Sequence, residues 1–283
     1  MKIKETLMKG VFLFASTASI LAVTLICIFL FANGIPAIRE IGVFEFLLGK
    51  SWKPVGDPAS FGILPMIMGS IYVTAGAILF GVPIGLLTAV YMAKYCPPKI
   101  YRFLKPAINL LAGIPSVVYG FFGLVVIVPF IRDSLGGAGT SMLAASILLG
   151  IMILPTIIGV SESAIRAVPQ SYYEGGLALG ASHERSIFFI VLPAAKSGIM
   201  AAIVLGIGRA IGETMAVIMV AGNQPRMPKG LLKGVRTLTA NIVMEMGYAA
   251  DLHRDSLIAT AVVLFVFILI INLLLSLLKR RTK

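Results

Sequence analysis

EGGLALGASHERSIFFIVLP, residues Glu174 to Pro193, is a polar stretch between two greasy ones. The apolar run Met142–Val160 ends before it and the run Ser197–Val220 begins after it. A membrane chain that places so long a segment at one membrane face presents it to something. After Pro169, Ser171 and Glu174 stand three apart, the spacing of a capping box at a helix start. Gly180 suits the position just past a helix end, where a left-handed backbone is needed. Ser182 is placed to cap a second helix leading to Pro193. Two short helices with a bend between them make a rigid knob; an ordinary amphipathic connector is the bland alternative.

The rest of the chain supplies the membrane. Of 283 residues, 58% are hydrophobic and 13% charged, with a mean hydropathy of +0.99. Soluble domains carry about 25% charged residues. Several runs reach the ~20 apolar residues that cross the hydrocarbon core as helix, and none shows the short alternating segments of a barrel. The expected fold class is an all-α integral membrane protein with six spans: Val11–Ala32, Pro65–Ala93, Pro106–Ile131, Met142–Val160, Ser197–Val220 and Leu257–Leu278. The first follows Lys2, Lys4 and Lys9, but it is too long for a secretory signal and lacks a small-x-small cleavage site, so it reads as a retained anchor. Residues 1–10 form a short N-terminal segment and 11–283 a single transmembrane domain. Six spans put both termini on one side. With that side cytoplasmic, inner segments, including the loop at 161–196, hold 14 Lys and Arg. Outer segments at 33–64, 132–141 and 221–256 hold 9, a positive-inside bias. The net charge of +12 therefore describes membrane flanks, and no basic–aromatic array points to nucleic acid.

Several chemistries are excluded. No G-x-x-x-x-G-K-[ST] stretch is present, so the chain has no P-loop of its own, and any ATP and Mg belong to another polypeptide. Cys27 lies within a span and Cys96 in an inner loop, too far apart in depth for a disulfide. His183 and His253 fall on opposite faces, which leaves no metal pair and no nucleophile–base constellation.

Charge inside the membrane is the sharper signal. Arg209 and Glu213 sit in GIGRAIGETMAV, inside the fifth span. Charges at that depth cost several kcal/mol unless paired or hydrated and usually mark a pathway. Four residues apart on an unbroken helix, they share one face. They then form either an intrahelical ion pair or part of a polar conduit in which Arg209 meets an anion and Glu213 steadies its planar fork. Gly208 and Gly212 form a small-xxx-small pair that admits a neighbouring helix, as do Gly81 and Gly85. In the third span, Gly113, Pro115, Gly120 and Gly123 break or bend the helix, and irregular backbone is tolerated at depth only against protein or a watery cavity. Ser116 and Tyr119 would offer hydroxyls there. Pro83 and Pro155 read as packing kinks. Trp52, the single tryptophan, reads as an interface anchor, as do Tyr91, Tyr95 and Tyr101 on the inner side.

Glu174, Gly180, Ile190, Leu192 and Pro193 resemble the EAA loop of ABC-importer permeases: Glu-Ala-Ala, three residues, Gly, nine residues, Ile, any residue, Leu-Pro. Gly175 and Gly176 replace the two alanines, each costing a helix roughly 1 kcal/mol relative to alanine. AGIPSVVYGFFGL, RAVP before Ser171, GRAIGETMAV and RTLTANIVMEMGYAADLHRDSL resemble the phosphate-specific (Pst) branch of that family, in its PstC-type subunit. The resemblance spans about Phe61 to Leu278. It implies a type I importer (MetI-like) permease fold in a bacterial or archaeal cell membrane, with cytoplasmic termini. The implied partners are a PstA-type second permease, two PstB-type ATPase subunits that bind ATP and Mg, and an extracytoplasmic PstS-type phosphate-binding protein. It implies that Ser171, Glu174, Leu177 and Gly180 meet the ATPase, and that Arg209 and Glu213 lie on the substrate path with Ser116 and Tyr119. The cargo would be inorganic phosphate, with another oxyanion such as sulfate or phosphonate as the alternative. A proton-coupled secondary transporter using Glu213 would need no coupling loop, and a scaffold without a conduit would tolerate a neutral residue at 209.

Overall fold

The computed structural model describes residues 2–281; Lys283, one of the tail cations counted above, lies outside them. Helix α1 (Lys2–Ile41) is followed by the short α2 (Val43–Leu48) and a hairpin pairing β1 (Trp52–Lys53) with β2 (Ser60–Phe61), Trp52 opposite Phe61. Helix α3 (Leu64–Val90) starts with Pro65 in its first turn, where a missing N–H costs nothing, and ends in a π turn, Tyr91–Tyr95. Then come α4 (Pro98–Gly113), α5 (Ser116–Phe122), a π turn over Gly123–Ile127, and α6 (Val128–Leu135). Helix α7 (Met142–Arg166) is capped by Ser141, whose Oγ accepts from the Ala144 N–H at 3.2 Å. The loop contributes α8 (Gln170–Ala178), α9 (His183–Ser186), a π turn over Ile187–Val191 and α10 (Leu192–Ala194). The chain closes with α11 (Lys196–Gly212), α12 (Met215–Val220), α13 (Leu238–Glu245) and α14 (Asp251–Arg281).

Among the described residues five helical segments are long and apolar enough to cross a membrane: Leu7–Ile41, Leu64–Tyr95, Ser116–Leu135, Met142–Arg166 and Asp251–Leu274. The segment Lys196–Gly212, bent 68° from the helix His183–Ala194 before it, supplies a sixth when that bent pair is counted. Two expected spans are corrected. The third does not run unbroken from Pro106. Residues 106–113 end α4, the backbone turns extended at Ile114 and Pro115, and the crossing helix begins at Ser116. Proline fixes its own φ and disfavours helix at the residue before it, so Pro115 starts a helix and does not kink one. The fifth span is broken at Glu213–Thr214.

Close approaches give the directions of the helices. Sites for a Cβ on Gly76 and Gly85 of α3 lie against Ser146 and Ile157 of α7, so these two helices run parallel. Gly198 and Gly206 of α11 meet Ala164 and Ile157, an antiparallel pairing. Helices α3, α7 and α11 therefore form the packed centre, with the fully buried Leu148, Met152, Ile153 and Ile157 of α7 at its axis. Helices α5 and α12 close one flank. Helix α14 lies on the other and carries α1, which touches it near Phe31 and Gly34; Ala37 of α1 is buried, whereas residues 7–26 are exposed. The loop α8–α10 lies at one end of the bundle, the loop face; the hairpin and α13 lie at the other.

Candidate functional site

At the loop face the backbone turns the chain sharply. Helix α8 ends in a Schellman arrangement: the Gly180 N–H reaches Leu177 O at 2.9 Å and the Ala181 N–H reaches Gly176 O at 3.1 Å. Gly180 takes φ +85°, a region that side chains with a Cβ avoid. The Ser182 Oγ accepts from the Arg185 N–H at 3.3 Å and caps α9 as expected. The capping box does not form. Helix α8 begins at Gln170, so Ser171 is already inside it and makes no cap bond. Pro169 sets the start instead, being free of an N–H to satisfy. Ser171, Glu174, Leu177 and Gly180 are all exposed. Past the bend, Ser182, Glu184, Arg185, Phe188 and Phe189 line a hollow of about 400 Å³, with Phe189 76% exposed.

The two replaced alanines separate into different roles. Gly176 is buried, and a Cβ there would lie 2.6 Å from Ile190 Cδ1 and 2.7 Å from Ser186 Oγ. Gly175 has nothing within 4 Å. One glycine lets the helices of the knob touch; the other only loosens the turn.

Inside the bundle, Arg209 and Glu213 do not share a helix face. Helix α11 stops at Gly212, and Glu213 is extended at φ −69°, ψ 132°. Its Oε1 accepts from the Thr214 N–H at 3.1 Å and the Ala216 N–H at 3.2 Å. The carboxylate thus takes backbone donors that a continuous helix would have bonded internally, and local side-chain competition of this kind opens helices. Thr239, at the start of α13, donates from Oγ1 to the Glu213 carbonyl at 3.1 Å and steadies the break. Among the described residues Arg209 forms no ion pair; its Nη1 contacts Thr156 Oγ1 on α7 at 3.4 Å. Tyr119 is buried and donates to Leu111 O at 2.9 Å, across the α4–α5 break. That bond satisfies a helix-end carbonyl, so Tyr119 braces the break rather than opening onto free space. Ser116, half-buried, begins the crossing helix.

Gly208 and Gly212 have nothing within 4 Å of a Cβ site, against the expectation of a packed pair. Gly81 and Gly85 do pack, on Ile153 and Ile157. Gly120 of α5 and Gly123 of the π turn after it lie against Met219 and Val220 of α12.

Two buried carboxylate clusters were not found by sequence reasoning. At the loop face, Glu162 of α7 is 1% exposed. Its oxygens accept from Tyr101 and Lys105 of α4 and from Arg166 one turn on. The bond to Glu162 pushes the Tyr101 hydroxyl above its ordinary range, so it stays a donor. At the opposite face, Glu245 accepts from Trp52 Nε1 at 2.9 Å, from Arg236 and from His253 Nε2 at 2.9 Å. Trp52 is 4% exposed, so it is a buried clasp and not an interface anchor: its N–H finds a carboxylate partner inside the fold, as buried tryptophans usually do. Removing one partner of such a buried charge cluster costs about 3–5 kcal/mol. The spacing of Glu162 and Arg166, four residues apart, was a readable signal; the Trp52–Glu245 contact, 193 residues apart, was not.

Comparison with known proteins places this geometry. The family described as "Binding-protein-dependent transport system inner membrane component" matches residues 81–283. A probable ABC transporter permease protein, YqgH of Bacillus subtilis, is 41% identical over 260 residues, covering 89% of this chain and 84% of that protein. The phosphate transport system permease protein PstC of Mesorhizobium japonicum is 35% identical over 267 residues, covering 87% and 81%. Among solved structures, a bacterial alginate ABC transporter in complex with a pentasaccharide-bound periplasmic protein superposes with a TM-score of 0.67 at 17% identity, covering 95% of this chain and 94% of that one. An inward-facing MetNI methionine ABC transporter superposes with 0.63 at 21% identity, covering 78% and 96%. At these identities the two structures speak for the fold, a MetI-like permease.

Proposed function

The chain belongs to the binding-protein-dependent transport system inner membrane components and is an ABC importer permease subunit, and from that premise we propose that it conducts inorganic phosphate. The observation that carries the reading is Arg209, a guanidinium in the crossing part of α11 that no carboxylate neutralises among the described residues. An unpaired charge at membrane depth is expensive, and a transient oxyanion offsets that expense while using the fork's two-oxygen geometry. Glu213, held by the Thr214 and Ala216 amides, adds a fixed negative charge near the path that keeps the anion from binding too tightly. Three of the supporting relatives named as PstC are 31–35% identical over 78–87% of this chain.

The remaining roles follow from that reading. Ser171, Glu174, Leu177 and Gly180 form the surface that docks a separate PstB-type ATPase, which binds ATP and Mg. A PstA-type permease completes the conduit, and a PstS-type protein delivers phosphate to the face carrying α13. The loop face and both termini are then cytoplasmic. Ser116 lines the path, and the breaks at Ile114–Pro115 and Glu213–Thr214 are where helices rock between the two access states.

The test is uptake into vesicles holding the whole complex and the binding protein. Phosphate should enter with ATP hydrolysis, and sulfate and phosphonate should not. Arg209→Gln should assemble, keep its ATPase and lose at least tenfold in uptake, about 1.4 kcal/mol of barrier. Preferential uptake of another oxyanion would reassign the cargo, and wild-type uptake by Arg209→Gln would remove Arg209 from the path.

A further inference from the structure

We propose that Glu162 is a positioning residue for coupling: with Tyr101, Lys105 and Arg166 it locks α4 to α7, so that the first half of the broken third segment moves with the loop that meets the ATPase. This rests on the transport reading above. Four observations converge on it.

The cluster joins three elements at the loop face. Glu162 accepts Tyr101 Oη and Arg166 Nε on Oε1, both at 2.7 Å, and Lys105 on Oε2. Arg166 also donates from Nη2 to Met92 O at 2.7 Å and stacks 4.4 Å over the Tyr101 ring. Met92 O is free to accept because the π turn sends the Cys96 N–H to Tyr91 O, and the next residue, Pro97, has no N–H.

The cluster is adjacent to the loop in sequence and in space. Helix α8 begins four residues after Arg166. The same π turn grips the loop itself: Lys94 lies 5.8 Å over the Tyr173 ring, and Tyr95 packs edge-on against His183, whose Nδ1 bonds the Tyr173 hydroxyl at 2.7 Å.

Helix α4 then has one route onward. It packs on α7 through Tyr101, Lys105 and Ile108, while Phe103 and Leu110 are exposed. It ends at the Ile114–Pro115 break, bridged by the Tyr119–Leu111 bond to α5, which packs on α12 just past Glu213.

Finally, the partners are matched. A carboxylate 1% exposed takes two cations and a hydroxyl, whereas simple anchoring of α4 to α7 needs only the apolar contacts that already surround it.

Two variants test this in the full complex. Glu162→Gln removes the hub; Tyr101→Phe with Lys105→Met cuts only the α4 side and leaves Glu162 paired with Arg166, so it should fold. Both should retain the ATPase and hydrolyse ATP but lose at least tenfold in phosphate moved per ATP. Spin labels at Phe103 and Ser163, in a background lacking Cys27 and Cys96, should keep one separation with and without nucleotide in wild type, and a second pair at Phe103 and Val125 should change. In either variant the first separation should become nucleotide-dependent. Wild-type uptake per ATP in the Tyr101→Phe/Lys105→Met protein, or a Phe103–Ser163 separation that already shifts in wild type, would overturn the joint. A wild-type complex in which neither pair responds to nucleotide and no phosphate enters would overturn the transport reading first, and the joint with it.

Discussion

On α3, a Cβ placed at Gly81 or Gly85 would lie 2.8 Å from Ile153 or Ile157 of α7; on α11, a Cβ at Gly208 or Gly212 would meet nothing within 4 Å. The sequence spacing is the same in both helices. In α3 it lets two long helices meet along their length, and dispersion between closely fitted surfaces is what holds membrane helices together. In α11 the packing glycine is Gly206, two residues before Gly208, against Ile157, and Gly208 and Gly212 face away beside Arg209. A small-xxx-small pair marks a smooth helix face without saying whether another helix covers it. The difference between a brace and a surface left open next to a charge becomes visible only once the neighbour is placed.

The largest effect should come from filling the covered face. Gly85→Leu forces a side chain into the α3–α7 contact, and overpacking of this kind costs about 1–3 kcal/mol or more. The purified complex should melt several degrees lower or fail to assemble. An unchanged melting temperature would mean that α3 and α7 do not approach as closely as described.

A smaller, differently distributed effect is expected on the open face. Gly212→Leu has room in this chain, so melting should stay within about 0.5 kcal/mol of wild type. Uptake should fall roughly tenfold, about 1.4 kcal/mol, because the new side chain stands in the space beside Arg209 and the Glu213 break. If Gly212→Leu lowers the melting point as Gly85→Leu does, with assembly impaired, a second subunit covers this face and the glycines are braces after all.

The same distinction explains what could be read in advance. The knob was legible because its signals are local: Gly180 needs a left-handed backbone and Ser182 a free N–H two or three residues on, and both are satisfied within a few residues. Ser171 misled because Pro169, two residues earlier, is a stronger start signal than a capping box. The intramembrane charges were legible as charges, but their pairing was not. Periodicity assumes an unbroken helix, and a side chain that takes two backbone N–H groups for itself leaves no trace in hydropathy. Trp52 and Glu245 meet through the fold alone. Even so, Glu162 and Arg166 carried a readable spacing, hidden by its position at the edge of a predicted loop.

The smallest effect, and the finest version of the comparison, lies within the knob. Gly175 and Gly176 are neighbours on α8, one open and one covered. Gly175→Ala should gain about 1 kcal/mol of helix stability with no steric cost. It should tighten copurification of the ATPase slightly or leave it unchanged. Gly176→Ala gains the same propensity but must push aside the Ile190 methyl and the Ser186 hydroxyl, which already hold the second helix of the knob. Its net change should be zero or negative, with the ATPase retained less well. Melting of the isolated subunit and retention of the ATPase on a column measure the two together. Equal gains from both substitutions would show that the knob has slack at Gly176. The second helix would then be aimed by the Gly180 turn and the Ser182 cap alone, and the contact between α8 and Ile190 would be incidental to docking.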